Sequence, residues 1–242
     1  MPEAVAGVPP DAYSATGQLW GYPLYRWDAM ERDGFRWWIA RLRQATSARR
    51  RRADRSLCGF AAGWSVPASE TSAIAGRWIP GPGVKLFEAV RRELGDVPLV
   101  AEDLGVITDD VRALLAALGI PGMKVLQFGF SEDDSEHLPH RHVANAVVYT
   151  GTHDNDTTRA GSRRSLRPRE RRVLDYVGGD GTDIAGDLIR EASTSVARLA
   201  VVPLQDVLGL GSEARMNTPG VARQLDLACR ARRAHSRSAP SA

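Results

Sequence analysis

Three short stretches end an apolar run in side chains that can move protons or stabilise charge. PLVAEDLG (98–105) sets Glu102 and Asp103 directly after Val100 and Ala101. AVVYTGTHD (146–154) runs through Gly151 and Thr152 into His153 and Asp154. RLAVVPLQD (198–206) ends in Gln205 and Asp206. A carboxyl group at the close of an apolar run is partly desolvated, which raises its pKa and suits Glu102 to donating a proton. Asp154 follows His153, so both can face one ligand, and paired carboxylates across a sugar are the core of glycoside chemistry. The same residues have plainer uses: Glu102 as a helix cap or salt-bridge partner, His153 as a packed, hydrogen-bonded ring. A carboxylate cluster also suits a divalent metal, but no full ligand set has the spacing for one. Gly81-Pro82-Gly83 is not a phosphate loop, because no Gly-Lys-Ser/Thr follows it.

The elements that must position these residues read as βα units. The spacing predicts strands over 98–105, 123–130, 146–154 and 198–206, with helices over 108–118, 168–177 and 182–198 between them. Thr108 is the expected N-cap of the first of these helices, with Asp109 and Asp110 in its first turn. Apolar strands alternating with helices imply an α/β fold with a parallel sheet, which places functional residues at the carboxyl ends of its strands, in an open sheet or a barrel. Polar groups after three successive strands therefore suggest one shared site. Upstream, residues 28–47 read as one amphipathic helix with Asp28 as its cap, and 83–94 as another. Residues 62–82, rich in Gly, Pro, Ser and Trp, read as a long ordered loop, and residues 1–16 as loop or disorder. Trp20, Tyr22, Tyr25, Trp27, Trp37, Trp38, Trp64 and Trp78 crowd the first third. Most are expected in the core, with one or two free to stack on sugar rings.

Composition narrows the classes. With 242 residues, 43% hydrophobic and 25% charged, the chain is of ordinary globular type. No run reaches the ~18 apolar residues of a membrane span, so no membrane partner is expected. The N-terminus lacks a signal-peptide pattern, and two distant cysteines, Cys58 and Cys229, fit a reducing, cytoplasmic setting. A net charge of +3 does not mark a nucleic-acid binder. The arginines do cluster, at 49–52, at 163–172 and in the 221–242 tail, which is expected to be basic and disordered. No recognition motif accompanies them, so no nucleic-acid partner is expected.

Seven blocks carry a resemblance: GQLWGYPLYRWDAM (17–30), GFRWWIARLR (34–43), ETSAIAGRWIPGPG (70–83), LVAEDLGVIT (99–108), GIPGMKVLQF (119–128), VVYTGTHDNDTT (147–158) and PLQDVLGLGSEARMNTPG (203–220). Over 17–220 the chain resembles the 4-α-glucanotransferases, also called amylomaltases or disproportionating enzymes. The resemblance implies a partial (β/α)8 TIM barrel of the α-amylase clan, lacking its N-terminal strands, over 17–220. It implies a retaining transfer between α-1,4-glucans or maltooligosaccharides, with no cofactor and no metal. Glu102 matches the general acid/base and Asp154 the carboxylate that steadies the distorted sugar. His153 matches a histidine that hydrogen-bonds the donor sugar. Arg52, Asn155 and Trp78 are the further substrate-binding residues it implies, and the GRWIPGPG stretch lies where a loop could shield the cleft.

Two departures qualify it. The family begins well before Gly17, so a missing N-terminal half of the barrel is an implied partner. The nucleophile block is altered: Arg52-Ala53-Asp54 keeps Arg-x-Asp, but an extra residue separates Asp54 from Gly59-Phe60, and Arg55 stands where histidine is expected. The preceding strand has become four arginines, which is incompatible with a buried strand because unpaired buried charges cost several kcal/mol each. Asp54 is the nucleophile candidate. Alternatively it is a solvated acid, and the chain a non-catalytic glucan-binding remnant. Abrupt switches to Arg/Ala/Ser-rich text between intact blocks are the pattern that reading-frame shifts leave in a GC-rich gene.

Overall fold

The computed structural model describes residues 2–10, 14–47, 52–54, 58–104, 107–130, 134–164 and 167–218. The chain divides into two compact units, Met1–Gly122 and Met123–Ala242. The 221–242 tail, Arg55 and the arginines at 49–51 lie outside the described residues.

The first unit runs β1 (Ala4–Val8), β2 (Gln18–Pro23), α1 (Trp27–Arg32), α2 (Arg36–Ser47), β3 (Arg52–Asp54), α3 (Cys58–Ala61), β4 (Ala62–Pro67), β5 (Arg77–Pro80), α4 (Val84–Leu94), β6 (Leu99–Ala101) and α5 (Asp109–Leu118). Its four-stranded antiparallel sheet has the order β2-β1-β4-β5. β1 falls where loop or disorder was expected. Its AVAGV buries alternate positions, Val5 and Gly7. Gly7 crosses so near β2 that a Cβ there would sit 2.5 Å from the Gln18 carbonyl oxygen. β2 is the outer strand, and all six of its residues are exposed.

The expected loop over 62–82 is a hairpin instead. β4 and β5 pair Trp64 with Trp78, whose rings meet edge to face at 5.3 Å. The connecting turn is tied down by Trp64 Nε1, which donates to the Ala73 carbonyl at 2.8 Å. Aromatic cross-strand pairing outweighs the breaker-rich composition.

The single helix expected over 28–47 breaks after Arg32. Gly34 and Phe35 take φ of 69° and 57°. The left-handed region is open to glycine and strained for phenylalanine, and the Phe35 ring is buried in the core. Asp28 does not cap α1; it sits in the first turn and pairs with Arg32 at 3.2 Å. In α2, Trp38, Ile39, Leu42 and Ala45 recur at helical spacing and are buried, the first three packing with Phe60, Leu86, Phe87, Val111 and Leu114. The aromatics are less internal than expected. Trp38 alone of the eight is buried, Trp27 and Trp64 are half-buried, and Trp20, Tyr22, Tyr25, Trp37 and Trp78 are exposed.

The arginine-rich segment supplies a three-residue strand, β3. It pairs in parallel with β6: Arg52 with Leu99, Ala53 with Val100, Asp54 with Ala101. Thr108 stands at the N-cap position of α5 with acids in the first turn, and Gly119 closes the helix in the left-handed conformation.

The second unit contains β7 (Gly122–Val125, starting at the boundary), α6 (Leu126–Gly129), β8 (Ala146–Tyr149), α7 (Thr158–Arg164), α8 (Arg167–Val177), α9 (Ile184–Thr194), β9 (Leu199–Val201) and α10 (Leu204–Val207). The sheet order is β7-β8-β9, with β8 and β9 parallel. Two expected strands are shorter than the apolar runs that announced them. The 123–130 strand turns helical at Leu126, and the last strand ends at Val201, leaving Gln205 and Asp206 in α10. Leu126, Phe130, Val148, Val173, Ile184 and Leu188 form the core. α9 is capped by Asp183, which accepts from the Gly186 amide at 3.0 Å. No described helix is long and apolar enough to cross a membrane.

Candidate functional site

The residues after β8 form a loop, Thr150 to Thr158, that carries His153, Asp154 and Asn155. It is folded from within by short polar side chains. Asn155 Oδ1 accepts from the Thr152 amide and the Thr152 hydroxyl, both at 2.8 Å, and the Asn155 amide donates to the Thr152 carbonyl at 3.2 Å. The Thr152 hydroxyl oxygen also accepts from the Asp154 amide at 3.3 Å. This turn, local to Thr152–Asn155, lifts His153 and Asp154 into solvent, where both are exposed. Asn155, expected to bind substrate, has its carbonyl oxygen engaged in shaping the loop.

Asp154 is oriented by neighbours far away in sequence. Asn217 Nδ2 donates to Asp154 Oδ1, and His153 Nε2 lies 3.3 Å from the same oxygen. Arg215 holds the main chain, donating from Nη2 to the Asp154 carbonyl at 2.6 Å and from Nε to the Asn217 carbonyl at 2.7 Å. Ser212 Oγ donates to Asp156 Oδ2 at 2.9 Å. The result is a carboxylate held in one direction at the surface, with a histidine beside it. Such a group stabilises positive charge developing on a bound molecule, since a preoriented charge needs no reorganisation as the reaction proceeds. A small, open depression on this unit is lined in part by Asn155, Asp156, Gln205 and Arg215.

Sequence reasoning missed Arg215, Asn217 and Ser212. All three sit in or beside the SEARMNTPG stretch, whose run of polar residues after a helix was the available signal. Gln205 and Asp206 were read as part of a shared ligand-facing site. They do join the 150–158 loop, because β9 lies beside β8. Asp206, however, is buried, and its carboxylate faces threonines rather than the surface.

In the first unit, Glu102 follows β6 and is half-buried, and Asp103 next to it is buried. Gly122 leaves room for Asp103: a Cβ there would lie 2.3 Å from Asp103 Oδ2. Asp54 ends β3 level with Ala101, one residue short of Glu102. The backbone thus puts the two acids at the ends of neighbouring parallel strands. The extra residue before Gly59 does not remove Asp54 from the strand end. Arg52 begins the same strand. Trp78 is 55% exposed on β5, enough to offer a ring face to a ligand. Among the described residues, no group of three or more His, Cys, Asp or Glu side chains is gathered as a metal site.

Comparison with known proteins adds a family context. The glycoside hydrolase family 77 model, described as 4-alpha-glucanotransferase, matches residues 1–233. The chain is 51% identical over 221 residues to a chloroplastic/amyloplastic 4-alpha-glucanotransferase of Solanum tuberosum, covering 90% of this chain and 38% of that protein. It is 50% identical over 229 residues to a 4-alpha-glucanotransferase of Thermus thermophilus, covering 90% of this chain and 46% of the relative. Among solved structures, amylomaltase from Streptococcus agalactiae in complex with acarbose superposes with a TM-score of 0.86 at 33% identity, over 92% of this chain and 46% of that one. The chain therefore spans less than half the length of these relatives.

Proposed function

The chain belongs to the 4-alpha-glucanotransferase family, and from that premise we propose that it takes part in retaining transfer between α-1,4-glucans. In this reading the two units belong to a partial (β/α)8 barrel of the α-amylase clan. The observation that carries the reading is the β3–β6 register, which sets Asp54 and Glu102 at adjacent strand ends. Retaining transfer needs two carboxyl groups flanking one glycosidic bond, and acids that end adjacent strands are candidates for that pair.

The steps then follow from charge. Glu102 protonates the leaving glycosidic oxygen while an Asp54 oxygen bonds the anomeric carbon, giving a glycosyl ester and releasing the shortened glucan. Positive charge grows at that carbon in the transition state, and the family resemblance assigns its stabilisation to the Asp154 carboxylate, which Asn217 holds. Glu102, now ionised, accepts the proton of an acceptor 4-hydroxyl, whose oxygen displaces Asp54. His153, Asn155 and Arg52 contact the sugar hydroxyls, and Trp78 stacks on a pyranose face. Maltooligosaccharides serve as both donors and acceptors. The relatives are more than twice as long as the matched region.

A second reading, a non-catalytic glucan-binding remnant, draws support from Arg55 in place of histidine and from the extra residue before Gly59. Incubation of the full chain with maltotriose separates the two. Transfer yields glucose together with maltopentaose and longer products, and Glu102→Gln abolishes them. Binding of maltotriose without products supports the remnant. If neither products nor binding is seen, or if Glu102→Gln leaves transfer intact, the proposed chemistry is wrong.

A further inference from the structure

We infer that Asp206 is the positioning residue of the Asp154 loop, gripping both of its ends with one carboxylate. The loop starts at Thr150 and ends at Thr158, and both residues are fully buried. Thr150 Oγ1 donates to Asp206 Oδ2 at 2.6 Å. Thr158 Oγ1 donates to the same oxygen at 2.8 Å, and the Thr158 amide donates to Oδ1 at 2.7 Å. That amide belongs to the first turn of α7, so Asp206 does from 48 residues away what a local cap does for most helices. Three donors on one buried carboxylate fix the span between the loop's two feet.

The grip has a second layer. Gln127 Nε2 donates to the Asp156 carbonyl at 3.1 Å and to Thr158 Oγ1 at 3.3 Å, and the Gln127 amide donates to the Thr150 carbonyl at 3.3 Å. Gly151 admits this side chain, since a Cβ there would lie 2.6 Å from Gln127 Nε2. Gln127 thus orders the inner wall of the loop, but only Asp206 receives hydrogen bonds from side chains at both feet.

Asp206 is 3% exposed, and both of its carboxylate oxygens are engaged by Thr150 and Thr158. It acts through the loop: with the feet fixed, the Thr152–Asn155 turn has one conformation, and Asp154 meets Asn217 and Arg215. The catalytic consequence rests on the glucan-transfer reading; the mechanical one does not.

The test is single-amide hydrogen exchange on the full chain by NMR, in wild type, Asp206→Asn, Thr150→Val and Thr158→Val. An amide in place of the carboxylate cannot accept at both oxygens, so the grip opens on one side. The decisive probes are the Thr152 and Asn155 amides, which bond within the loop and never touch Asp206. In Asp206→Asn they exchange at least tenfold faster than in wild type, while the Leu188 amide in α9 keeps its rate. The two valine variants, each lacking one hydroxyl, give intermediate accelerations and stand in if Asp206→Asn does not fold. Acarbose titration supplies the second arm: affinity falls at least fivefold in each variant. If Thr158 alone loses protection, Asp206 merely caps α7 and the inference is overturned. If Thr152 and Asn155 accelerate but wild type does not bind acarbose, the positioning stands and the glucan reading falls.

Discussion

Acid should destabilise the second unit through His137, and the size of the effect follows from its surroundings. His137 Nδ1 accepts the Val125 amide of β7 at 3.2 Å, a bond that exists only while that nitrogen is unprotonated. Burial, foremost, and the nearby Lys124 ammonium push its pKa down from 6.5 to about 4, against a smaller upward pull from Glu136. Lys124, itself buried, pairs with Glu136 at 2.5 Å. His142, also lowered mainly by burial, donates from Nε2 to the His137 carbonyl at 3.0 Å and lies 2.7 Å from Ser195 Oγ through Nδ1.

The folded pKa lies below the unfolded one, so the stabilisation is complete above about pH 6.5 and is lost as pH falls towards 4. At about 1.4 kcal/mol per pKa unit, the full gap would be worth about 3 kcal/mol. Solvent reaches part of the ring, and screening reduces the expected loss to about 1–2 kcal/mol. The assay is urea unfolding of wild type and His137→Gln between pH 7 and pH 4.5. All six tryptophans precede Gly122, so the transition is followed by far-ultraviolet circular dichroism rather than indole fluorescence. His142 and the carboxylates contribute to both proteins, so their effects cancel in the difference. Wild type should lose about 1–2 kcal/mol more than the variant over this range. Parallel pH profiles, or a steeper loss in His137→Gln, would refute the argument.

Two further perturbations probe the packing. Leu86 is completely buried between the helices of the first unit, so Leu86→Ala should cost about 2–5 kcal/mol, read as an earlier thermal transition in tryptophan fluorescence. Asp183→Ala removes the α9 cap and should cost about 1 kcal/mol, with faster exchange of the Gly186 amide; unchanged exchange there would show that the cap contributes little.

The parts of the molecule that were legible in the sequence are those set by local pattern. α4 and α5 follow their apolar periodicity and their glycine stops, and β6 and β8 end where the polar residues begin. The misreadings came from tertiary context. The 62–82 stretch carries every compositional mark of a loop, yet Trp64 facing Trp78 across two strands makes it a hairpin. The break between α1 and α2 depends on burying Phe35 against a distant part of the chain, which periodicity within one segment does not reveal. Of the candidate residues, His153, Asp154 and Glu102 were visible because strand ends are where parallel sheets present polar groups. Arg215 and Asn217 were not, because their relation to Asp154 arises from contact across more than 60 residues. Asp206 was visible as a polar residue, but its burial was not, so it was grouped with the ligand-facing acids.

The outward side of β2 bears on how the protein behaves at high concentration. Among the described residues its main chain bonds to β1 along one flank only, and Leu19, Trp20 and Tyr22 are exposed. Proline, which interrupts ladder growth, comes only at its last residue, Pro23. A bare, aromatic strand of this kind recruits further strands from neighbouring molecules. Six residues that contribute little to the interior thus form an expected site of self-association, and Tyr22→Lys should lower the tendency of the protein to aggregate.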